Sequence, residues 1–253
     1  MSFDVSADAY DRFMGRYSRG LAAPMADLAG VRAGQRVLDV GCGAGALTAE
    51  LVARVGPERV SAVDPSPRFV EAVALRQPGA EVRLASAEAL PFADACYDAS
   101  LAQLVVHFLS DPVAGLAEMA RVTRPGGVVA ACVWDLAAGG GPLSTFWGAV
   151  RGLDPQATDE SRRAGAREGH LVELLVQAGL SQVQAAVLSA RVEHPSFEDW
   201  WEPYTLGVGP AGAFVAALEP GRREELRARC QAALPAGPFA VTARAWAARG
   251  VVA

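Results

Sequence analysis

Along the chain, short apolar runs alternate with longer stretches in which apolar residues recur every three or four positions, as when strands interleave with amphipathic helices. Residues 36–40, 60–63, 82–85, 97–103 and 128–134 read as five strands. Between them, Leu47, Leu51, Val52 and Val55 mark one helical face, and Val113, Leu116, Ala117 and Ala120 another. Ser66-Pro67 and Asp111-Pro112 have the residues of helix starts, with Ser66 as a side-chain cap and proline at the first helical position. Strand–helix alternation predicts an α/β fold, a parallel sheet with right-handed crossovers. Upstream, Tyr10, Phe13, Met14, Tyr17, Leu21 and Met25 share a helix-compatible spacing. Downstream, residues 137–142 form a glycine-rich bend, 154–169 a polar loop with a solvated helix, and 171–179 an apolar helix. Residues 183–192 and 239–248 read as a sixth and a seventh strand, and the intervening 195–237 is too long for a hairpin loop and is expected to be helical.

At 253 residues and 51% hydrophobic content, one large core is expected. Residues 1–30 read as N-terminal capping helices and 31–253 as a single domain carrying the 195–237 insertion. The net charge is -5, and no basic cluster tracks a phosphate backbone, which makes nucleic acid an unsuitable partner. All 23 basic residues are arginine, and isoleucine and asparagine are absent as well. This bias points to a G+C-rich bacterial genome rather than to phosphate recognition. Cys42, Cys96, Cys132 and Cys230 are far apart with no C-x-x-C, so neither zinc nor a disulfide framework is expected. No run reaches the ~20 apolar residues of a membrane span. The acidic, polar start is unlike a signal sequence, and a soluble, cytoplasmic protein is expected.

The chemistry concentrates where the first strand runs into Gly41-Cys42-Gly43-Ala44-Gly45 before a helix begins. Glycines at alternate positions let a backbone pass close to a ligand and present its N–H groups at a helix N-terminus. Gly41, Gly43 and Ala46 also satisfy a loose dinucleotide fingerprint, so the glycines alone leave the nucleotide open. Asp39 narrows it, because an acid beneath the turn repels a diphosphate and suits a cationic aminoacyl end. Asp64 follows Gly45 by 19 residues, close to the spacing at which a carboxylate accepts ribose hydroxyls, although an acid at a strand end can equally be solvated.

The words V-L-D-V-G-C-G-A-G resemble the first motif of class I S-adenosylmethionine-dependent methyltransferases, in a bacterial small-molecule branch like the ubiquinone and menaquinone methyltransferases. The resemblance extends from Tyr10 to Trp134 through Y-D-R-F-M-G-R-Y-S-R, the acid ending the second strand, S-A-E-A-L-P-F and R-V-T-R-P-G-G. It implies a doubly wound, mostly parallel seven-stranded sheet in the order 3-2-1-4-5-7-6, with strand 7 antiparallel and a helical lid. It also implies S-adenosyl-L-methionine as cofactor, bound by Asp39, Gly41, Cys42, Gly43, Gly45, Asp64, Pro65, Ser66 and Gln103. Tyr10, Met14 and Arg19 would close over the cofactor, unless that helix merely docks by its aromatic stripe. Ser86 stands where the family has an Asp that reaches adenine, which shifts that role to the backbone of Ala87 and Glu88.

In Leu104–Pro112, which resembles the family's L-H-H-x-x-D-P loop, His107 matches the first histidine and Phe108 replaces the second. His107 is the general-base candidate, or else a residue holding the loop. Trp147, Trp200, Trp201 and Tyr204 either wall a pocket for an aromatic acceptor or form a small lid core. The expected partner is a small, partly apolar methyl acceptor, with no metal, and a monomer or homodimer. The rival functions are a nicotinamide-dependent oxidoreductase and a non-catalytic S-adenosylmethionine-binding protein.

Overall fold

The computed structural model describes residues 7–253, and residues 1–6 of the expected N-terminal cap lie outside them. Helix α1 (Ala7–Tyr10) runs through a π-helical turn (Asp11–Gly15) into α2 (Arg16–Leu28). The first half then alternates β1 (Val37–Val40), α3 (Ala46–Val55), β2 (Val60–Asp64), α4 (Pro67–Arg76), β3 (Glu81–Leu84), β4 (Tyr97–Gln103), α5 (Pro112–Val122) and β5 (Thr123–Trp134). The second half continues with α6 (Ser144–Leu153), α7 (His170–Gln177), β6 (Ser181–His194), α8 (Phe197–Trp201), α9 (Gly209–Ala217), α10 (Pro220–Ala232) and β7 (Phe239–Val251).

The sheet order is β3-β2-β1-β4-β5-β7-β6, as the resemblance implied. β1 lies between β2 and β4, with parallel pairing on both sides, while β7 runs antiparallel to β5 and β6. Because β1 is covered on both faces, its side chains are apolar in both directions, with Asp39 the exception. One face of the sheet packs Leu21, Met25, Leu47 and Leu51 of α2 and α3, and the other packs Leu116, Met119, Leu171 and Leu175 of α5 and α7.

A third core lies outside the sheet. Phe146, Trp147 and Val150 of α6 meet Trp200, Trp201 and Tyr204 of the insertion, and Phe13 of the π turn. Phe146 stacks on Tyr204 at 4.6 Å between centroids, and Phe13 meets the same ring edge-on at 4.8 Å. The tryptophans of the insertion are therefore core residues. The solvated helix expected within 154–169 is absent, since those residues are turns and bends, and the helix lies just upstream as α6. Phe146, Trp147, Val150 and Leu153 put an apolar stripe on α6, which the preceding glycine run obscures in the sequence.

The N-terminal helix is fastened to this insertion by a polar chain. Tyr17 Oη lies 3.0 Å from His194 Nε2, His194 Nδ1 lies 2.8 Å from Asp199 Oδ2, and Arg16 Nη1 donates to the same oxygen at 2.7 Å. Burial holds the His194 pKa below its ordinary value despite the opposing pull of Asp199.

Candidate active site

A cavity of about 510 Å³ opens beyond the C-terminal ends of β1, β2 and β4, where open α/β sheets bind ligands. Tyr10, Asp39, Gly41, Cys42, Gly43, Asp64, Pro65, Ser86, Ala87, Glu88, Gln103 and His107 line it, twelve of the sixteen residues singled out from the sequence. Met14, Arg19, Gly45 and Ser66 do not. Gly45 is the left-handed cap of α3 (φ 91°), and Ser66 precedes α4 but makes no side-chain capping bond, its N–H going instead to Asp64 Oδ1 at 2.9 Å. Arg19 reaches back to Asp11 at 3.4 Å and is largely solvent-exposed.

The π turn explains the misplaced helix face. Its wider repeat brings Gly15, rather than Met14, after Tyr10 on the cavity side, followed by Ser18. Asp11 also faces the cavity, and Arg76 joins it to the glycine loop by donating to Asp11 Oδ2 and to the Ala44 carbonyl, both at 2.9 Å.

The loop geometry requires its glycines. Gly41 has φ 72°, and a Cβ there would meet Val105 Cγ2 at 2.5 Å. A Cβ on Gly43 would meet no protein atom within 4 Å, so the loop backbone is bare beside the cavity. Asp64 Oδ2 accepts the Gly43 N–H at 2.9 Å, so each Asp64 oxygen takes one backbone donor and keeps a lone pair for a ligand. Burial raises the Asp64 pKa against those two bonds.

Asp39 is 1% exposed and accepts the Thr48 hydroxyl at 2.6 Å. Burial, opposed by that bond and reinforced by Asp64, pushes its pKa up to about 7. Thr48 was invisible to sequence reading, although a hydroxyl in the first turn of α3, facing an acid of β1, is the available signal. Gln103 donates through Nε2 to the Ser18 carbonyl at 2.9 Å, while its buried Oε1 has no partner among the described residues. At the far end Ser86 bonds to the Glu88 carboxylate, which also accepts the Ser110 N–H at 3.0 Å. Burial works to raise the Glu88 pKa, but these bonds outweigh it and the pKa is lowered.

The cavity thus offers a buried acid and an unpaired amide oxygen for a cation, a lone-pair acid for vicinal hydroxyls, and a polar corner for a base edge. S-adenosylmethionine has those groups in that sequence, and the residues present fit it. A diphosphate would have to sit between Asp39 and Asp64.

His107 lies on the wall between this cavity and a smaller chamber of about 50 Å³. Burial, and secondarily Arg163, holds its pKa down to about 3, so the imidazole is neutral and a weak proton acceptor at physiological pH. Of the two roles read for His107 from the sequence, general base or a residue holding the loop, this environment favours the second. The chamber is lined by Met14, Trp134, Leu143 and, unforeseen from the sequence, Glu160. Among the described residues no group of three or more His, Cys, Asp or Glu side chains is placed to hold a metal.

Comparison with known proteins is consistent with this geometry. Residues 38–131 match the methyltransferase domain family model. The chain is 34% identical over 129 residues to the malonyl-[acyl-carrier protein] O-methyltransferase of Serratia marcescens, covering 49% of this chain and 50% of that one. It is 39% identical over 152 residues to an uncharacterized methyltransferase of Mycobacterium sp. (strain JLS), covering 56% and 60%. The chain spans about half the length of the curated relatives it matches. Among solved structures, a protein described as a type II methyltransferase from Anaeromyxobacter dehalogenans superposes with a TM-score of 0.62 at 24% identity, over 94% of this chain and 97% of that one. Geranyl diphosphate C-methyltransferase from Streptomyces coelicolor A3(2), solved with S-adenosyl-L-homocysteine, gives 0.54 at 15% identity, over 91% and 78%. Residues 38–131 are thus similar to the methyltransferase domain family, and the chain as a whole shares the fold of the solved methyltransferases on which it superposes.

Proposed function

We propose that this protein is an S-adenosylmethionine-dependent methyltransferase acting on a small, partly apolar acceptor. The observation that carries the reading is the pair of buried carboxylates, Asp39 and Asp64, flanking a bare glycine loop in one cavity. Bound there, the cofactor supplies a sulfonium-activated methyl group. Asp39 and the free Oε1 of Gln103 would hold its ammonium, Asp64 its ribose hydroxyls, and the Ser86–Glu88 corner its adenine. Tyr10, Leu104 and His107, shared by the cavity and the adjoining chamber, place the acceptor against the methyl and exclude water. Since the donor is already activated, positioning supplies most of what the protein contributes.

The cysteines are all free, which suits a reducing cytoplasm, and no helix among the described residues is long and apolar enough to cross a membrane. We take the working form to be a monomer or homodimer, with residues 195–237 as its lid. Isothermal calorimetry with S-adenosylhomocysteine and, separately, NADH tests the reading. Micromolar or tighter binding of the first and none of the second is expected, and the reverse preference would transfer the fold to an oxidoreductase. Binding of the first without methylation of any acceptor would favour the non-catalytic reading.

A further inference from the structure

Beyond the small chamber lies an outer recess of about 370 Å³ lined by Ala137, Ser144, Trp147 and Arg151. Leu136, Leu143 and Glu160 line both spaces, which meet at these residues. The cofactor cavity, the chamber and the recess therefore stand in series, the first two sharing Tyr10, Leu104, His107 and Phe108. At about 50 Å³, the chamber admits only a few non-hydrogen atoms, whereas the recess has room for the rest of a molecule.

Two polar groups of the chamber are unusual. Trp134 is 3% exposed and its indole N–H has no partner among the described residues. Glu160 is 5% exposed, and the cation beside it, Arg163 Nε, lies 3.5 Å away, at the outer limit of a hydrogen bond. The same guanidinium donates to the His107 carbonyl at 3.2 Å and covers the Phe108 ring at 5.1 Å. With one guanidinium and the Trp147 indole beside it, the two-oxygen Glu160 carboxylate retains accepting capacity toward the chamber, and a buried indole N–H such as that of Trp134 asks for an acceptor atom.

Resting on the methyltransferase reading, we infer that the chamber takes the reacting end of the acceptor, that Glu160 binds its O–H or N–H, and that the recess holds its remainder. The substrate class is a small molecule with a hydroxyl or amine as nucleophile, not a carboxylate, its remainder meeting the mixed polar lining of Ser144, Trp147, Arg151 and Asp159. A hydroxyl matches both groups at once, donating to Glu160 and accepting from Trp134. As the new carbon–oxygen or carbon–nitrogen bond forms, the carbon–sulfur bond of the donor breaks with its electron pair going to sulfur, and the acceptor's proton passes to a Glu160 carboxylate oxygen. His107 shares the chamber but is the poorer proton acceptor, because burial, which weakens an imidazole as a base, strengthens a carboxylate.

Matched aromatic probes test this on the full chain saturated with S-adenosylhomocysteine, with binding read by ligand-observed NMR. 4-Methylphenol and 4-methylaniline are expected to bind at least about tenfold more tightly than 4-methylbenzoate, the like charge of Glu160 working against the last. In E160Q the gap should close to within about threefold, while calorimetry gives an unchanged affinity for S-adenosylhomocysteine and so shows the variant folded. With 4-nitrophenol, whose colour separates phenol from phenolate, the bound probe should be neutral in the wild type and shift toward phenolate in E160Q. Equal or tighter binding of 4-methylbenzoate by the wild type overturns the inference, as does a probe preference or 4-nitrophenol spectrum that E160Q leaves unchanged. If E160Q fails to fold, the wild-type preference decides alone. Failure of S-adenosylhomocysteine to bind at all would instead remove the underlying methyltransferase reading.

Discussion

The C-terminal end of the sheet, which holds the glycine loop, and the helical insertion between β6 and β7 are built on different principles. Around the loop, polar atoms are fixed one by one: Asp64 by two backbone donors, Asp39 by Thr48, Glu88 by Ser86 and Ser110. In the lid, position comes from stacked rings of α6 and the insertion. The first arrangement discriminates atoms and tolerates little change, whereas the second fixes a shape and leaves the choice of acceptor to a few residues on its wall.

The largest separation of the two should come from Trp200→Ala, which removes a buried indole from the lid core and should cost about 3–5 kcal/mol in thermal or denaturant unfolding. Affinity for S-adenosylhomocysteine should fall less than in Asp64→Ala, since the core around Trp200 meets the cavity lining through Tyr10 rather than through the loop's hydrogen bonds. Asp64→Ala should do the converse, lowering that affinity by about 2–3 kcal/mol in calorimetry, 30- to 150-fold, while the melting temperature of the unliganded protein moves little.

The next effect in size is set by pH. With its pKa at about 7, Asp39 holds a proton in the free protein that must leave when a cationic ligand binds. Affinity should therefore fall by about tenfold per pH unit below about 7, and Asp39→Asn should flatten the profile. Because the folded protein retains this proton where the unfolded chain has lost it, the group also makes the unliganded protein less stable as pH rises from about 4 to about 7. The smallest effect is expected from Ser86→Ala. Loss of one exposed bond to Glu88 should cost less than about 1 kcal/mol of cofactor affinity, and a larger loss would mean that the serine contacts the base itself.

The same contrast explains what the sequence disclosed. Glycines with positive φ, an acid at a strand end and proline-started helices are local devices, so the alternation of β1 to β5 with helices and part of the cavity lining could be read from the residues, whereas the strand order came from the family resemblance. The misplacement of Met14 follows from a π turn, for which the pattern of apolar residues carries no signal at that length. Glu160 was hidden for another reason. It sits in Asp159-Glu160-Ser161-Arg162-Arg163, which any hydropathy reading takes as solvent-facing, yet it is buried where this segment meets α6 and lines a recess together with Trp147. Trp200 and Trp201 showed the opposite ambiguity, since large aromatic side chains suit a pocket wall and a core equally well until their neighbours are known.

The chain of contacts from Arg16 and Tyr17 through His194 to Asp199 has a kinetic corollary. The segment that roofs the donor cavity is clasped to the lid, so a molecule seated beneath Tyr10 and Ser18 braces the far half before any second guest arrives. Turnover is thus expected to follow a compulsory sequence, donor first and demethylated donor last to leave. Competitive inhibition by S-adenosylhomocysteine against the donor, but noncompetitive inhibition against the acceptor, would be its signature in initial-rate plots.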